Sequence, residues 1–281
     1  MQKTIQETLN SIEEEYGVKI IYACETGSRA WDYNSADSDY DISFIYVGPL
    51  SDYVILEGAA QHSDVIYKTV DENLNFKGWD FKKALDLIGN SNGPIIEWFS
   101  SPIVYRQSEY SEELKKLSHS YGVAKSLAAH YFYMGSHILH KYEANQMPAQ
   151  RYLLLIRSFL IADTYVNQKS LESLSLLDLA RTNLPEKLGR IVEDIIHQRQ
   201  VGDDEFFKQN AYLDEWLAEK EEELKTIIAT YFPKTKGKKK KFKTKRMKKE
   251  EASQKADYLK ELNDYYYKSI ISLLENSEIN V

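Results

Sequence analysis

The sequence predicts an α+β protein, in which a half that mixes strands and helices is followed by an all-helical half. Two observations support this class. Before residue 110, short apolar runs alternate with polar turns, which is typical of strands. After Glu112, apolar residues recur at helical spacing almost to the end of the chain. We therefore predict two units, residues 1–110 and residues 111–281.

The N-terminal half is predicted to begin with a helix over residues 1–16, where apolar side chains recur at helical spacing. Strands should follow, because the next apolar runs are bounded by polar turns. Residues 51–62 do not decide between a short helix and a loop. The other predicted elements are strands at 18–24, 41–47 and 64–70, a short strand or turn at 73–79, helical segments at 81–88 and 95–99, and an extended stretch at 101–105.

The C-terminal half is predicted to contain helices alone, with prolines near several of their boundaries. Arg151 and Arg157 lie about two turns apart on one of these helices. Glu97 of the first half is expected to pair with a basic residue of the second. The predicted helices span residues 111–119, 122–143, 148–168, 175–181, 185–199, 205–231 and 251–276.

Composition excludes several classes of protein. No apolar run approaches the roughly 18 residues that cross a membrane, and the N-terminus lacks the apolar core of a signal peptide. Cys24 is the only cysteine, which excludes an intramolecular disulfide, and it is expected in the core of a strand. These features predict a cytoplasmic protein without a membrane partner.

Charge is unevenly distributed along the chain. The net charge is −7, but residues 234–249 carry 11 of the 36 basic residues and no acidic one, which leaves 25 basic and 43 acidic residues elsewhere. Such a cationic segment attracts phosphate backbones, although a solvated loop between two helices is the alternative. We predict that this lysine-rich loop contacts RNA. The residues assigned to the contact are Lys238, Lys239, Lys240, Lys241, Lys243, Lys245 and Arg246.

A pair of carboxylates opens the second apolar run, which spans residues 42–47. Residues i and i+2 of a strand point to the same face, so Asp39 and Asp41 project side by side and Tyr40 points away. Two adjacent carboxylates repel each other unless a cation lies between them. Mg²⁺ accepts oxygen ligands of this kind, usually together with substrate phosphates. The pair therefore predicts a magnesium site.

A glycine-serine turn follows the first apolar run, residues 20–23. The small side chains of Gly27 and Ser28 allow backbone N–H groups to approach a polyphosphate, and Arg29 adds a charge-assisted contact. A Gly-Ser pair followed after ten residues by Asp-x-Asp, each on its own strand, resembles the signature of the polymerase-β-type nucleotidyltransferase superfamily. A surface turn with an acidic strand end is the alternative.

Further residues follow a distinctive order along the chain. They are Glu25, residues 27–31, residues 38–41, residues 78–80, Lys83, Ser91, Asn92, Glu97, Trp98 and residues 101–105, and in the helical half His130, Tyr131, residues 151–157 and residues 185–199. In these residues the chain resembles the RNA-repair-pathway polymerase-β-family proteins, often called RlaP, over most of its length and less so after about residue 215. Frequent Lys, Asn, Ile and Tyr favour an AT-rich source such as a phage.

This resemblance implies a polymerase-β-type catalytic domain followed by a helical domain. It implies transfer of a nucleotidyl group from a nucleoside triphosphate to an RNA end, with tRNA as the expected RNA and Mg²⁺ or Mn²⁺ as the cofactor. Asp39 and Asp41 are the expected metal ligands and catalytic carboxylates. The expected nucleotide-binding residues are Gly27, Ser28, Arg29, Ser38, Asn75 and Lys83.

The chain departs from the family pattern at Asn75, where the resemblance implies a third carboxylate. An amide oxygen can contact a metal ion but cannot accept the proton of a hydroxyl. Asp80 ranks first as a substitute catalytic residue, ahead of Asp71 and Asp64. The alternative role for Asp80 is to cap the helix predicted over residues 81–88.

Three functions are compatible with this pattern. The first is an active nucleotidyltransferase that acts on RNA. The second keeps the fold but modifies a protein hydroxyl, and the long helical half counts against it. The third is a catalytically degenerate protein that binds RNA or protein as an adaptor or inhibitor, and Asn75 supports it.

Overall fold

The computed structural model describes residues 1–53, 63–121, 123–143, 146–167, 171–202, 207–232 and 245–276. The strands in these ranges are β1 (Lys19–Thr26), β2 (Tyr40–Val47), β3 (Val65–Asp71), β4 (Leu74–Asp80) and β5 (Val104–Arg106). They form one mixed sheet in the order β3-β4-β2-β1-β5. Neighbouring strands are antiparallel except β2 and β4, which are parallel. The α+β class is confirmed.

Most helix boundaries lie within a few residues of the predicted ones, and several begin at a polar side chain that accepts a backbone N–H. Asn92, for example, accepts from the N–H of Ile95 at the start of the fourth helix. Of residues 51–62, which the sequence left undecided, 54–62 lie outside the described residues. The helices are α1 (Gln2–Tyr16), α2 (Gly27–Ala30), α3 (Phe81–Gly89), α4 (Gly93–Ser100), α5 (Glu109–Tyr121), α6 (Ala124–Leu139), α7 (Ala149–Val166), α8 (Leu176–Asn183), α9 (Glu186–Gln200), α10 (Ala211–Tyr231) and α11 (Lys245–Asn276).

Different helices cover the two faces of the sheet, because side chains alternate between the faces along each strand. On β2, Ile42 and Phe44 pack with Leu9 of α1. Ile45 and Val47 point to the opposite face and pack with residues of α3 and α4. Each face therefore has its own apolar core, and β2 is buried between them.

A third apolar cluster is centred on α6 and α7 and includes Trp31 and Tyr33, which follow α2. Tyr258 and Leu262 of α11 pack instead with α3 and α4. Helices of the C-terminal half thus share cores with the N-terminal half, and the division near residue 110 stays a prediction. Among the described residues, no helix combines the length and apolar character needed to cross a membrane.

A buried ion pair joins α4 to α7. The Nη1 atom of Arg157 lies 2.8 Å from Oε1 of Glu97, and the hydroxyl of Tyr131 donates to the same oxygen at 3.0 Å. Arg157 is 1% exposed and its Cζ lies 4.4 Å from the ring centroid of Trp31. A charge buried this deeply requires a partner, so the pair constrains how the helical half packs beside α2. The expected pairing of Glu97 with the helical half is confirmed.

Candidate active site

One row of polar side chains crosses four strands at an end of the sheet. Thr69 of β3 lies opposite Asn75 of β4, Asn75 lies beside Asp41 of β2, and Asp41 lies opposite Thr26 of β1. We call these four residues the site row. By alternation they share the sheet face covered by α3 and α4, and Asp39, two residues before Asp41, projects toward the same face. The register thus brings Asp41 and Asn75 together, as the sequence predicted.

Asp41 is held on both sides by its neighbours. Its backbone N–H donates to Oε1 of Glu25 at 2.8 Å, and its carbonyl accepts from the hydroxyl of Thr26 at 2.9 Å. Burial raises the pKa of the Asp41 carboxyl above its ordinary value, and the charge of Asp39 raises it further. A hydrogen bond with the Asn75 amide lowers it in part. The position of Asp41 is thus fixed, while its negative charge is only partly compensated.

Glu25 is a functional residue that the sequence reasoning left without a role. Its side chain is 1% exposed, and besides the Asp41 N–H its Oε2 accepts from the Tyr105 hydroxyl at 2.5 Å. Burial raises the pKa of the Glu25 carboxyl. Glu25 lies opposite Ile42 in the β1–β2 register, and therefore on the face covered by α1. It positions Asp41 from behind and is not a third ligand beside the aspartate pair.

Gly27 begins helix α2 directly above Asp41. Its φ angle is +69°, and a Cβ atom built on it would lie 2.5 Å from Oδ2 of Asp41. Only glycine combines this backbone conformation with so close an approach. The hydroxyl of Thr26 bonds to Asp41 and does not cap α2. The first N–H groups of this helical turn, those of Gly27 and the buried Ser28, therefore have no side-chain cap and lie at the end of α2 that touches Asp41.

Arg29 and Ser38 hold the loop that carries Asp39. Arg29 donates from Nε and Nη2 to the carbonyl of Ser38 at 2.9 and 2.6 Å, and its Cζ lies 3.9 Å from the ring centroid of Tyr40. The Ser38 hydroxyl accepts from the N–H of Ser35 at 2.8 Å. Both residues were predicted to contact a nucleotide. In the structure they set the position of Asp39, and their contact with a nucleotide stays a prediction.

Two asparagine amides face the two aspartates. The hydroxyl of Thr69 donates to Oδ1 of Asn75 at 3.0 Å, which leaves the amide nitrogen of Asn75 for Asp41. The amide nitrogen of Asn73, oriented toward Asp39, lies 3.2 Å from its Oδ1. Asn73 was missed by the sequence reasoning, although Asn-Leu-Asn repeats the spacing of Asp-Tyr-Asp on the adjacent strand. Neutral donors thus occupy the side of the pair where a third carboxylate was expected.

Asp80 is not part of this site, and its prediction as a catalytic carboxylate is corrected. It lies beside Tyr46 in the β2–β4 register, five residues or about 16 Å along the sheet from the site row. Its carboxylate accepts from the N–H of Lys82 at 2.8 Å and from the hydroxyl of Tyr53 at 2.5 Å. Asp80 therefore caps α3, which was the alternative role.

Lys83 is also remote from the site row, because it follows Asp80 on α3. Its ammonium lies 2.6 Å from the carboxylate of Asp64, which pairs it at the far end of the sheet. The prediction of Lys83 as a nucleotide contact is corrected for the same reason, and Asp64 cannot be the third carboxylate. Asp71 is at the correct end of β3, but its Oδ1 accepts from the N–H of Asn73 within the β3–β4 turn.

Most of the lysine-rich loop, residues 234–244, lies outside the described residues. Of the residues assigned to RNA contact, Lys238, Lys239, Lys240, Lys241 and Lys243 lie outside the described residues. Lys245 and Arg246 begin α11, and the structure describes their backbone but not their side chains. RNA contact by this loop stays a prediction.

The chemistry of the donor set fits a divalent cation held by two carboxylates. Asp39 and Asp41 offer adjacent oxygen ligands whose mutual repulsion a cation relieves, and the Asn75 amide is neutral. Within the described ranges, no group of three or more His, Cys, Asp and Glu side chains is arranged to hold a metal ion. The residues therefore fit Mg²⁺ or Mn²⁺ completed by substrate oxygens better than a cage supplied by protein alone.

Replacing Gly27 by alanine tests the close approach to Asp41. We expect Gly27→Ala to lower the free energy of unfolding by about 1–2 kcal/mol, because alanine resists a positive φ. It should also weaken metal-dependent nucleotide binding at least about tenfold, because the Asp41 carboxylate must move to accommodate the Cβ. Binding is measured by calorimetry and stability by urea denaturation.

The matched control is Gly17→Ala. Gly17 has a similar φ of +62°, but a Cβ there meets nothing within 4 Å. This variant should show the loss of stability without the loss of nucleotide binding. Equal nucleotide affinity in the two variants would contradict a functional contact between Gly27 and Asp41.

Comparisons with known proteins bear on the family of this chain. Residues 1–249 match the model of a family described as "RlaP: RNA repair pathway DNA polymerase beta family", and the match extends beyond residue 215, where the resemblance was expected to weaken. A Bacillus subtilis (strain 168) protein, "Uncharacterized protein YcgL", is 38% identical over 162 residues, which are 57% of this chain and 61% of that protein. A crystal structure of a nucleotidyltransferase-like protein from Exiguobacterium sibiricum 255-15 is similar over 80% of this chain and 75% of that one. Its TM-score of 0.27 and its 12% identity are too low to carry an argument.

Proposed function

Because this chain belongs to the RNA repair pathway DNA polymerase beta family (RlaP), we propose that it transfers a nucleotidyl group from a nucleoside triphosphate to an RNA end, with Mg²⁺ or Mn²⁺ as cofactor. The observation that carries the proposal is the contact between α2 and the aspartate pair, where Gly27 lies against Oδ2 of Asp41. A phosphate bound by the N–H groups of α2 would therefore lie beside carboxylates that suit a divalent cation. We propose tRNA as the first acceptor to test. A cytoplasmic location is part of the same proposal.

Each residue of the site has a distinct part in such a reaction. The N–H groups of Gly27 and Ser28 bind the triphosphate, and Asp39 and Asp41 hold the cation. The bound cation supplies Lewis-acid stabilisation of the charge that develops on the triphosphate. Arg29 keeps the Asp39 loop in place through the Ser38 carbonyl. Binding and orientation of the triphosphate therefore depend on groups that the fold already holds.

Proton transfer from the attacking hydroxyl depends on Asp41. Asn75 cannot accept a proton, so the group in the usual third-carboxylate position does not serve as a base. Of the two aspartates, Asp41 is the one that lies beside Asn75 in the β2–β4 register, so its carboxylate accepts the proton of a hydroxyl bound on that side. The missing third carboxylate should make the reaction slower than in a complete site, without abolishing it.

A second candidate function is favoured by the two asparagines. The amides of Asn73 and Asn75 donate to the aspartate pair and partly compensate its charge without a metal ion. Such a site is compatible with a protein that binds nucleotide or RNA and acts as an adaptor or inhibitor without turnover. Nucleotide binding without transfer is the result that would distinguish this candidate from the enzyme.

The proposal is tested by incubating the full chain with each α-labelled nucleoside triphosphate and total tRNA. We expect labelled RNA in Mg²⁺ or Mn²⁺ and none in excess chelator, because the triphosphate is bound through a cation. A protein acceptor is assayed in parallel, because modification of a protein hydroxyl is the alternative reaction. Label on protein alone would contradict RNA as the acceptor. Metal-dependent nucleotide binding without label on either acceptor would favour the degenerate candidate.

A further inference from the structure

The site row extends to both sides of Asp41, and in the proposed reaction each side binds a different substrate. Thr26 and Gly27 lie on one side of Asp41, and Asn75 and Thr69 lie on the other. The acceptor oxygen bonds to the α-phosphorus while the bond from that phosphorus to the departing pyrophosphate breaks, and in such a transfer the attacking and leaving oxygens are roughly in line through the phosphorus. If the leaving phosphates are bound by the N–H groups of α2, the acceptor hydroxyl must approach from the side of β4 and β3. This step rests on the proposed function.

A second row of side chains lies directly beside the site row on that face. Tyr67 of β3 lies opposite Lys77 of β4, about 6.6 Å along the strands from Thr69 and Asn75. Tyr67 is on an edge strand and is 68% exposed. The Nζ atom of Lys77 lies 5.9 Å from the ring centroid of Tyr67 and 5.0 Å from that of Trp79. An exposed ring and a cation thus flank the approach to Asn75.

The charge of Lys77 is available for an anion. Lys68 on β3 is paired with Glu15 at 2.5 Å, and Lys83 on α3 is paired with Asp64 at 2.6 Å. Across the described part of the chain, no carboxylate lies within ion-pair distance of the Lys77 ammonium, which lies near the rings of Tyr67 and Trp79. On a protein of net charge −7, an uncompensated lysine beside the reactive carboxylates complements a phosphate.

We propose that Tyr67 and Lys77 form an acceptor platform that holds an unpaired nucleotide of the RNA end. The base stacks on the exposed ring of Tyr67, and the ammonium of Lys77 contacts the adjacent phosphate. Aromatic stacking with a neighbouring cation is how proteins bind single-stranded nucleic acid without sequence preference. The platform lies one row from Asn75, so the hydroxyl of a nucleotide held there can reach the space above Asp41.

The experiment measures KM for an RNA with an unpaired 3′ end and KM for the nucleoside triphosphate in four variants. Tyr67→Ala is expected to raise KM for RNA about tenfold and to leave KM for the triphosphate unchanged, because stacking is lost only on the acceptor side. Tyr67→Trp should retain wild-type KM for RNA, and Lys77→Gln should raise it and flatten its dependence on salt. The fourth variant, Tyr212→Ala, is the control: Tyr212 is 57% exposed and has Lys187 Nζ 3.5 Å from its ring centroid, but it lies on α10.

The outcomes separate the platform from the proposed function. If the wild-type chain labels RNA while Tyr67→Ala and Tyr212→Ala give the same KM for RNA, the platform is wrong and the enzyme proposal stands. If the wild-type chain labels no RNA, the enzyme proposal fails and the platform is judged by binding of an RNA with 3′-terminal 2-aminopurine. Quenching of its fluorescence that is lost in Tyr67→Ala but kept in Tyr212→Ala supports the platform. Equal quenching in both variants, or none with the wild-type chain, overturns it.

Discussion

Replacing Asp39 and Asp41 together by asparagine is expected to lower the rate of nucleotidyl transfer by about 10³-fold or more. The reason is that a bound cation stabilises the charge that develops in the transition state by several kcal/mol. The substitution preserves the size of both side chains. It removes the two negative charges that we propose hold the cation against the triphosphate. Transfer is measured as label incorporated into RNA under saturating nucleoside triphosphate and metal.

The same double variant should be at least as stable as the wild-type chain in the absence of metal. The raised pKa of Asp41, caused by burial and then by Asp39, means that the folded state disfavours its charged form. A neutral amide at both positions relieves that repulsion, so the Tm measured in chelator should rise or stay level. Loss of transfer together with a lower Tm would instead indicate damage to the fold, and retained transfer would contradict the assignment of the pair.

Replacing Asn75 by aspartate is expected to raise the transfer rate about 10²-fold, because a positioned general base contributes on this order. Asn75 already lies beside Asp41 in the parallel register, and the hydroxyl of Thr69 can donate to an aspartate oxygen as it does to the amide. The new carboxylate therefore occupies the position that the family pattern implies. The measurement is the rate of transfer by Asn75→Asp under single-turnover conditions.

The third carboxylate should also make stability depend on metal. Three adjacent carboxylates repel one another, so Asn75→Asp should melt at a lower temperature than the wild-type chain in chelator, and Mg²⁺ should reverse the difference. Asn263→Asp adds the same charge on α11 and should change neither property. A rate equal to that of the wild-type chain would mean that Asn75 is not in the position of the missing base.

Much of the site could be predicted because its chemistry is local in sequence. The Gly-Ser turn and the Asp-x-Asp pair each follow or open an apolar strand, and strand alternation alone places Asp39 beside Asp41. Asn75 was assigned by resemblance, and the parallel pairing of β2 with β4 puts it next to Asp41. Local patterns and a family motif were sufficient for these residues.

The errors arose where sequence distance and spatial distance differ. Asp80 is only five residues from Asn75, but a strand is extended, so it lies about 16 Å away at the other end of the sheet. The hydrogen bonds of Arg29 to the Ser38 carbonyl were missed because nothing in the sequence shows which loop carbonyl lies near its guanidinium, while its contact with a phosphate stays a prediction. The roles assigned to Glu25 and Lys77 depend on which residues lie opposite them, and only the register of the sheet shows this.

The most direct test of the aspartate site is a calorimetric titration of the wild-type chain and the Asp39→Asn, Asp41→Asn double variant with a nucleoside triphosphate, in Mg²⁺ and in chelator. The structure predicts binding to the wild-type chain that requires Mg²⁺ and is lost in the double variant, because the triphosphate is held jointly by α2 and the cation. Binding of equal strength in the two proteins, or binding that does not depend on Mg²⁺, would contradict the assignment of Asp39 and Asp41 to the site.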